Sequence, residues 1–351
     1  MINHLSPDFI FILSPNLKNF TWLFFLIIIF SVNNSFALSA DIIVSKDSSG
    51  NFTTIQEALN SVPENNGKQF IIYIKNAVYN EKLYIEKSNI ALIGENRDSV
   101  KIFFAELRKN WRVDHPDDYG SAVINIKEDV TDLFFKNLTV HNNYGSIYGD
   151  NDHQFAIRGG GNKIIIIDCN IIADGGDTLS LWNSESGMYY HKNCYFEGYV
   201  DFVCPRGWCY VTDSKFFGHN LNASIWHDGS KNKDQKFVIR NSSFQGITNF
   251  GLGRFHRDAQ FFLLDCSFSS DMADKKIYFK QSDPPRTLQW GMDRIYFFNC
   301  HGEKTDYPWH ADNFESAEGS PKAEDINPKW VFGERWDPEK VLLETENKFN
   351  N

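Results

Sequence analysis

The chain contains no basic stripe and no run of Lys or Arg, and its 45 acidic residues outnumber 35 basic ones, giving a formal net charge of −10. A nucleic-acid partner requires a cationic footprint, so that class is excluded. The six cysteines and ten histidines show no spacing of a structural zinc site. No acidic cluster has the spacing of a calcium site, and two-residue hairpin turns between apolar stretches are absent, which argues against an antiparallel sandwich. The apolar run Phe20–Phe30 is too short to span a bilayer.

That run instead has the length of a signal-peptide core, and Ser35-Phe36-Ala37 fits a small-x-small cleavage pattern. Residues 1–40 are therefore expected to be a leader, cleaved near 37–40, and the mature chain to be secreted or periplasmic, with no membrane segment. With 42% hydrophobic and 15% aromatic residues, the remainder can bury a large core. Asp41-Ile42-Ile43-Val44-Ser45 alternates like an opening strand. Thr54-Ile55-Gln56-Glu57 reads as a capping box at the start of a short helix that Pro63 ends. Ile55, Ala58, Leu59 and Val62 share one face, so this helix should cover one end of the core.

From about residue 122 the sequence repeats. An Asn or Asp closes an apolar stretch at Asn137, Asp168, Asn193, Asp213, Asn241, Asp265 and Asn299, at intervals of about 20 to 34 residues. Strands rich in Ile, Phe and Tyr, with no helical pattern between them, indicate an all-β solenoid: a single right-handed parallel β-helix over residues 41–351, with a short N-terminal capping helix. The tail from Trp309 should lie on the outside. Cys169, Cys194, Cys266 and Cys300 each follow one of the repeated Asn/Asp positions, where Leu138, Ser214 and Ser242 stand in other coils. This predicts an interior ladder of buried free thiols. Cys204 and Cys209 flank a short loop that a disulfide could close.

Within this frame Asp177 and Asp201 lie about one coil apart and should sit side by side on neighbouring strands. Two carboxyls so placed can divide acid and base work if a neighbour keeps one ionised, and Arg254, two repeats on, is positioned to do so. Two surface aspartates at coil ends are the plainer reading. Trp182, Trp208, Trp226 and Trp290 offer faces for sugar stacking, against the commoner role of packing.

The segments "DIIVSKDSSGNFTTIQEALNSVP", "YIKNAVYNEKL", "GGDTL", "GYVDFV" and "LGR", in that order, resemble the pectin methylesterases, carbohydrate esterases built on the pectin-lyase-like β-helix. The resemblance covers nearly all of the mature chain. It implies Asp201 as nucleophile, Asp177 as general acid and then base, and Arg254 as the group fixing Asp201. It implies a methyl-esterified galacturonan as substrate, methanol and free carboxylate as products, a monomer, and no metal or organic cofactor. Phe202, Trp226, His227 and His256 are the implied substrate-binding positions. Tyr79 and Glu81 match a structural Tyr-x-Glu.

Three departures stand out. Gly176 replaces a glutamine that would donate to the oxyanion. His153, with Gln154 beside it, stands where the other active-site glutamine belongs, and His256 replaces a stacking tryptophan. A lost oxyanion donor is worth about 3 kcal/mol of barrier, so His153 and Gln154 are the candidate replacements. The space left at Gly176 would suit a branched or decorated pectic substrate. Arg254 is expected to lower the pKa of Asp201, and burial to raise that of Asp177. A β-helix glycoside hydrolase, a polysaccharide lyase and a non-catalytic carbohydrate-binding relative remain open at this level.

Overall fold

The computed structural model describes residues 39–313 and 320–350; most of the expected leader therefore lies outside the described residues. Three parallel sheets run along one stack. The first has ten strands, from Ile42–Val44 and Phe70–Ile74 through Met188–Lys192 to Ile295–Phe298. The second has nine, including Asn170–Ala173, Tyr195–Gly198 and Lys215–Gly218. The third has four, Leu83–Ile85, Ala122–Ile126, Phe155–Gly159 and Leu179–Leu181. Single bridges Leu179–Val203, Val203–Ile225 and Ile225–Gly253 carry the third sheet onward. The chain visits the sheets in turn and returns one strand further along, which makes a right-handed parallel β-helix.

The repeated Asn/Asp residues form the corner between the ten- and nine-stranded sheets. All seven have left-handed backbone, with φ from 47° at Asn241 to 55° at Asn137. Only glycine and short polar side chains occupy that region at low cost, which explains the residue type. The identities alternate Asn, Asp, Asn, Asp along the stack, and the amides reach back: Asn193 Nδ2 donates to Asp168 Oδ1 (2.6 Å) and Asn299 Nδ2 to Asp265 Oδ1 (2.8 Å), with Asn241 bonded likewise to Asp213. Alternation gives every carboxylate a donor and keeps like charges off adjacent coils.

All six cysteines are free and buried, and four of them, Cys169, Cys194, Cys266 and Cys300, lie directly inside this corner. Cys169 and Cys194 are neighbours along the stack, since Asn170 and Tyr195, the next residues, pair in register. Cys204 and Cys209 are likewise separate thiols. Deeper in, Phe196, Phe216, Phe244 and Phe268 stack coil on coil with ring centroids 5.2, 4.4 and 5.7 Å apart.

The helix Ile55–Ser61 packs Ile55, Ala58 and Leu59 over the first coil. Thr54 Oγ1 accepts from Glu57 N (3.3 Å), and Glu81 accepts from Ile55 N and Gln56 N at 2.9 and 3.1 Å. The Tyr-x-Glu motif thus caps this helix from the next coil. At the other extreme, Ile326, Val331, Phe332 and Trp336 cover the outer face of the ten-stranded sheet against Ile71, Tyr73 and Tyr190. The helix Pro338–Asn350 continues along that face, where Lys348 pairs with Asp41 (3.4 Å) and Lys136 with Glu346. Among the described residues, no helix is long and apolar enough to cross a membrane.

Candidate active site

Asp177 and Asp201 each stand two residues before a bridged pair, Leu179–Val203, and so occupy the same position on adjacent coils. Both are left-handed, with φ of 61° and 54°. Their backbone N–H groups donate to Val200 O (2.9 Å) and Ala223 O (3.0 Å), which fixes the main chain and leaves the carboxyls to project from the corner. Arg254 follows Gly253, the next bridged residue but one along the stack. Its guanidinium forks onto Asp201, Nε lying 3.0 and 3.1 Å from Oδ1 and Oδ2 and Nη2 lying 2.7 Å from Oδ2. The two side chains are only 12% and 9% exposed, so this is a charge-assisted, largely desolvated pair. Of the three residues that the sequence groups, Arg254 and Asp201 are in direct contact, and Asp177 stands at the matching position one coil away.

The electrostatics differ from expectation. Burial pushes Asp201 up to about 6, and the hydrogen bonds and charge of Arg254 only partly oppose it. Asp201 is therefore ionised at neutral pH, but by a narrow margin. Burial also raises Asp177, against the nearby His153 ring and the guanidinium groups of Arg158, Arg254 and Arg108. Each carboxyl is held closer to its protonated form than in water, and only Asp201 has a fork-bound cation.

Around Asp177 the departures resolve differently. Gln154 is completely buried and its amide is used up: Nε2 donates to Asp150 O (2.6 Å), and Oε1 accepts from Gly145 N (3.0 Å). It braces the loop before the groove and cannot serve an oxyanion. Gly175 is required there, because a Cβ would lie 2.1 Å from Asp152 O. At Gly176 a Cβ would lie 2.9 Å from Val200 Cγ1, so the volume expected to be vacant is occupied by valine. His153 does face the site. Its Nε2 is 3.7 Å from Asp177 Oδ2, its Nδ1 is 2.6 Å from Asp152 Oδ1, and the side chain is 41% exposed.

The expected substrate-binding positions divide in two. Phe202 points inward and is fully buried in the core, so it cannot meet a substrate. His227 is also fully buried: Nε2 meets Gly207 O at 2.9 Å, Nδ1 accepts from Gln260 N at 3.1 Å, and burial pushes its pKa down to about 4. It is a structural histidine. His256 is half-buried, with its ring centroid 5.6 Å from that of Trp226, and burial among nearby cations pushes it down to about 4, leaving it neutral. Trp226 itself is almost covered.

Trp182 has both faces covered by guanidinium groups, Arg158 at 3.8 Å and Arg206 at 3.9 Å from its ring centre. Trp208 is buried against Arg335, and Trp290 is anchored through its backbone N–H to Asp258. The Arg158–Trp182–Arg206 stack was not anticipated, although Trp182 and Arg206 have the same 24-residue spacing as Asp177 and Asp201.

On this parallel β-helix Asp177 and Asp201 thus stand on adjacent coils, with Arg254 forked onto Asp201 and His153 3.7 Å from Asp177. A family model described as Pectinesterase matches residues 41–250, and the chain belongs to that family. It is similar to probable pectinesterase 56 of Arabidopsis thaliana, at 36% identity over 169 residues, covering 48% of this chain and 54% of that one. A pectinesterase of Petunia integrifolia is 29% identical over 216 residues, covering 59% and 54%. The chain thus spans about half the length of these curated relatives. Among solved structures, the pectin methylesterase PemA from Erwinia chrysanthemi superposes with a TM-score of 0.68 at 22% identity, over 86% of this chain and 99% of that one. The pectin methylesterase from carrot gives 0.63 at 18%, over 78% and 86%. These structural likenesses concern the fold.

Proposed function

We propose that the protein is a carbohydrate esterase that hydrolyses methyl esters of galacturonan. Asp201 attacks the ester carbonyl, and Asp177 protonates the departing methoxide and then deprotonates the hydrolytic water. The observation that carries this reading is the fork of Arg254 on Asp201, one coil from a buried Asp177 that has no such cation. The fork fixes one oxygen pair and keeps the nucleophile charged, while burial favours a proton on its neighbour.

His153 Nε2–H, a donor that neither Gly176 nor the engaged Gln154 supplies, meets the developing oxyanion before its proton passes by way of Asp177 to the departing methoxide. Room for a decorated pectic chain lies away from Gly176, in an open cavity of about 590 Å³ lined by Asp118, Tyr119, Lys127, Glu128, Arg158 and Trp182. Action as a monomer, outside the cell after removal of the leader, is part of the same proposal.

Methanol release from highly esterified pectin tests the reading. Steady release, with no new reducing ends and no unsaturated product, is expected. Reducing ends without methanol would point to a glycoside hydrolase, and binding without turnover to a non-catalytic relative. On this reading His153→Ala lowers kcat by on the order of a hundredfold.

A further inference from the structure

We propose that Asp152, His153 and Asp177 form a proton-sharing chain in which the His153 imidazole and the Asp177 carboxyl hold one proton between them. This deepens the reading of Asp177 as acid and base and rests on it for its catalytic meaning.

The argument begins at Asp152. Its Oδ1 accepts from both the backbone N–H of His153 (2.7 Å) and ring Nδ1 (2.6 Å), and its own N–H donates to Asp150 Oδ1 (3.1 Å). Burial works against the charge, but the His153 hydrogen bonds hold the Asp152 carboxyl below its usual range. An ionised carboxylate only accepts, so Nδ1 carries hydrogen. In a neutral ring Nε2 is then a bare acceptor, and it faces Asp177 Oδ2 at 3.7 Å. Two acceptors held 3.7 Å apart, just beyond direct hydrogen-bond reach, repel unless a proton belongs to one of them. On Nε2 it makes an imidazolium beside a carboxylate; on Oδ2 it makes a carboxylic acid beside a neutral ring. The surrounding acids are Asp150, Asp152, Asp177, Asp201 and Asp118, and the bases are Lys109, Arg108, Arg158 and Arg254, of which Arg108 and Arg158 are already paired to Asp118 and Lys109 to Asp150. Arg108 N also donates to His153 O (3.1 Å), which holds the ring's backbone in place.

The proton bookkeeping closes without an outside reagent. Asp201 forms a bond to the carbonyl carbon, the carbon–methoxide bond breaks, and the methoxide oxygen takes the shared proton and leaves as methanol. Asp177 is then a carboxylate beside neutral His153. Water adds to the acyl-aspartate while the pair accepts its proton, the bond to Asp201 breaks, and Asp201 departs as carboxylate. Two bases sharing the proton keep it to higher pH than one carboxyl does, so the alkaline limb of activity lies further up.

The test has two arms. The imidazole nitrogen signals of ¹⁵N-labelled protein are followed against pH in wild type and Asp177→Asn, with His153 assigned by its loss in His153→Gln. Proton sharing requires Nδ1 to stay protonated throughout and the His153 titration to fall by roughly one unit or more in Asp177→Asn. An unchanged titration overturns the proposal. In the second arm, the kcat/KM profile of His153→Gln is measured. Glutamine keeps a neutral donor but has no group that takes up or releases a proton in this range, so the alkaline limb should move down by about one unit while the lower-pH plateau largely survives. Coincident profiles overturn the proposal. The first arm needs no substrate, so a protein that released no methanol would refute the esterase reading and leave the proton chain to be decided separately.

Discussion

At the residue scale, the Asp201–Arg254 fork sets two expectations. Protonating Asp201 removes the nucleophile, so kcat/KM should fall about tenfold per pH unit below a midpoint near 6. Asp201→Asn should cut methanol release by at least ~10³-fold. Its effect on stability has the opposite sign to that of an ordinary salt bridge. The folded carboxyl binds its proton more tightly than the unfolded one, so ionisation between pH 4 and 6 costs the folded state. A shift from 3.8 to about 6 corresponds to roughly 3 kcal/mol. Urea denaturation of wild type and Asp201→Asn across that window should show the difference moving against wild type as pH rises. A difference independent of pH would mean that burial does not govern this carboxyl.

At the element scale, the corner ladder can be tested one rung at a time. Asn193, with φ of 52°, should tolerate glycine better than alanine. Asn193→Ala should lose about 1–2 kcal/mol from left-handed strain, with its hydrogen bond to Asp168 lost as well, and thermal melts of the two variants should separate accordingly. Asn193→Asp would set three carboxylates on consecutive rungs and should cost up to about 1 kcal/mol, more at low salt. Thiol titration is a second check: the native protein should react slowly or not at all, and all six cysteines should react after unfolding. These elements were legible because their chemistry is local. The corner between the ten- and nine-stranded sheets carries Asn or Asp on each of the seven rungs described, and the residue after it turns inward. The groove lining was less legible. Phe202 and Asp201 are adjacent, yet one fills the core and the other projects outward, and that assignment depends on the left-handed turn at Asp201. Gln154 and His227 were misread for a related reason. Each is a polar side chain satisfied by loop backbone groups, at Asp150 and Gly145 for Gln154 and at Gly207 and Gln260 for His227, and the path of a loop is not written in its residue types.

At the scale of the whole molecule, the C-terminal segment turns an apolar sheet face into an interior. Tyr73 meets Phe349 at a ring distance of 5.5 Å, and Ser39 N donates to Phe349 O at 3.0 Å, so the final helix ties the tail to the first coil. Removing residues 338–351 should lower the melting temperature by several degrees, at roughly 2–4 °C per kcal/mol for a chain of this size. Turnover at low temperature should survive, because the groove lies at the corner leading into the third sheet. Calorimetry paired with the methanol assay would separate the two effects. An equal loss of activity and stability would mean that the tail also shapes the groove.

The alternating corner has one further consequence, for the ageing of the protein. Asparagine side chains slowly hydrolyse to aspartate or isoaspartate, and here every such event replaces the donor of a rung with an acceptor. Deamidation of Asn193, Asn241 or Asn299 would leave an aspartate of the preceding coil without its amide and set three anions in a row at Asn193 or Asn241 and two at Asn299. Their amides are bonded and their backbones held in a turn, which slows the attack that starts the reaction. The working life of the protein would then depend less on the catalytic residues than on how long this seam of amides lasts.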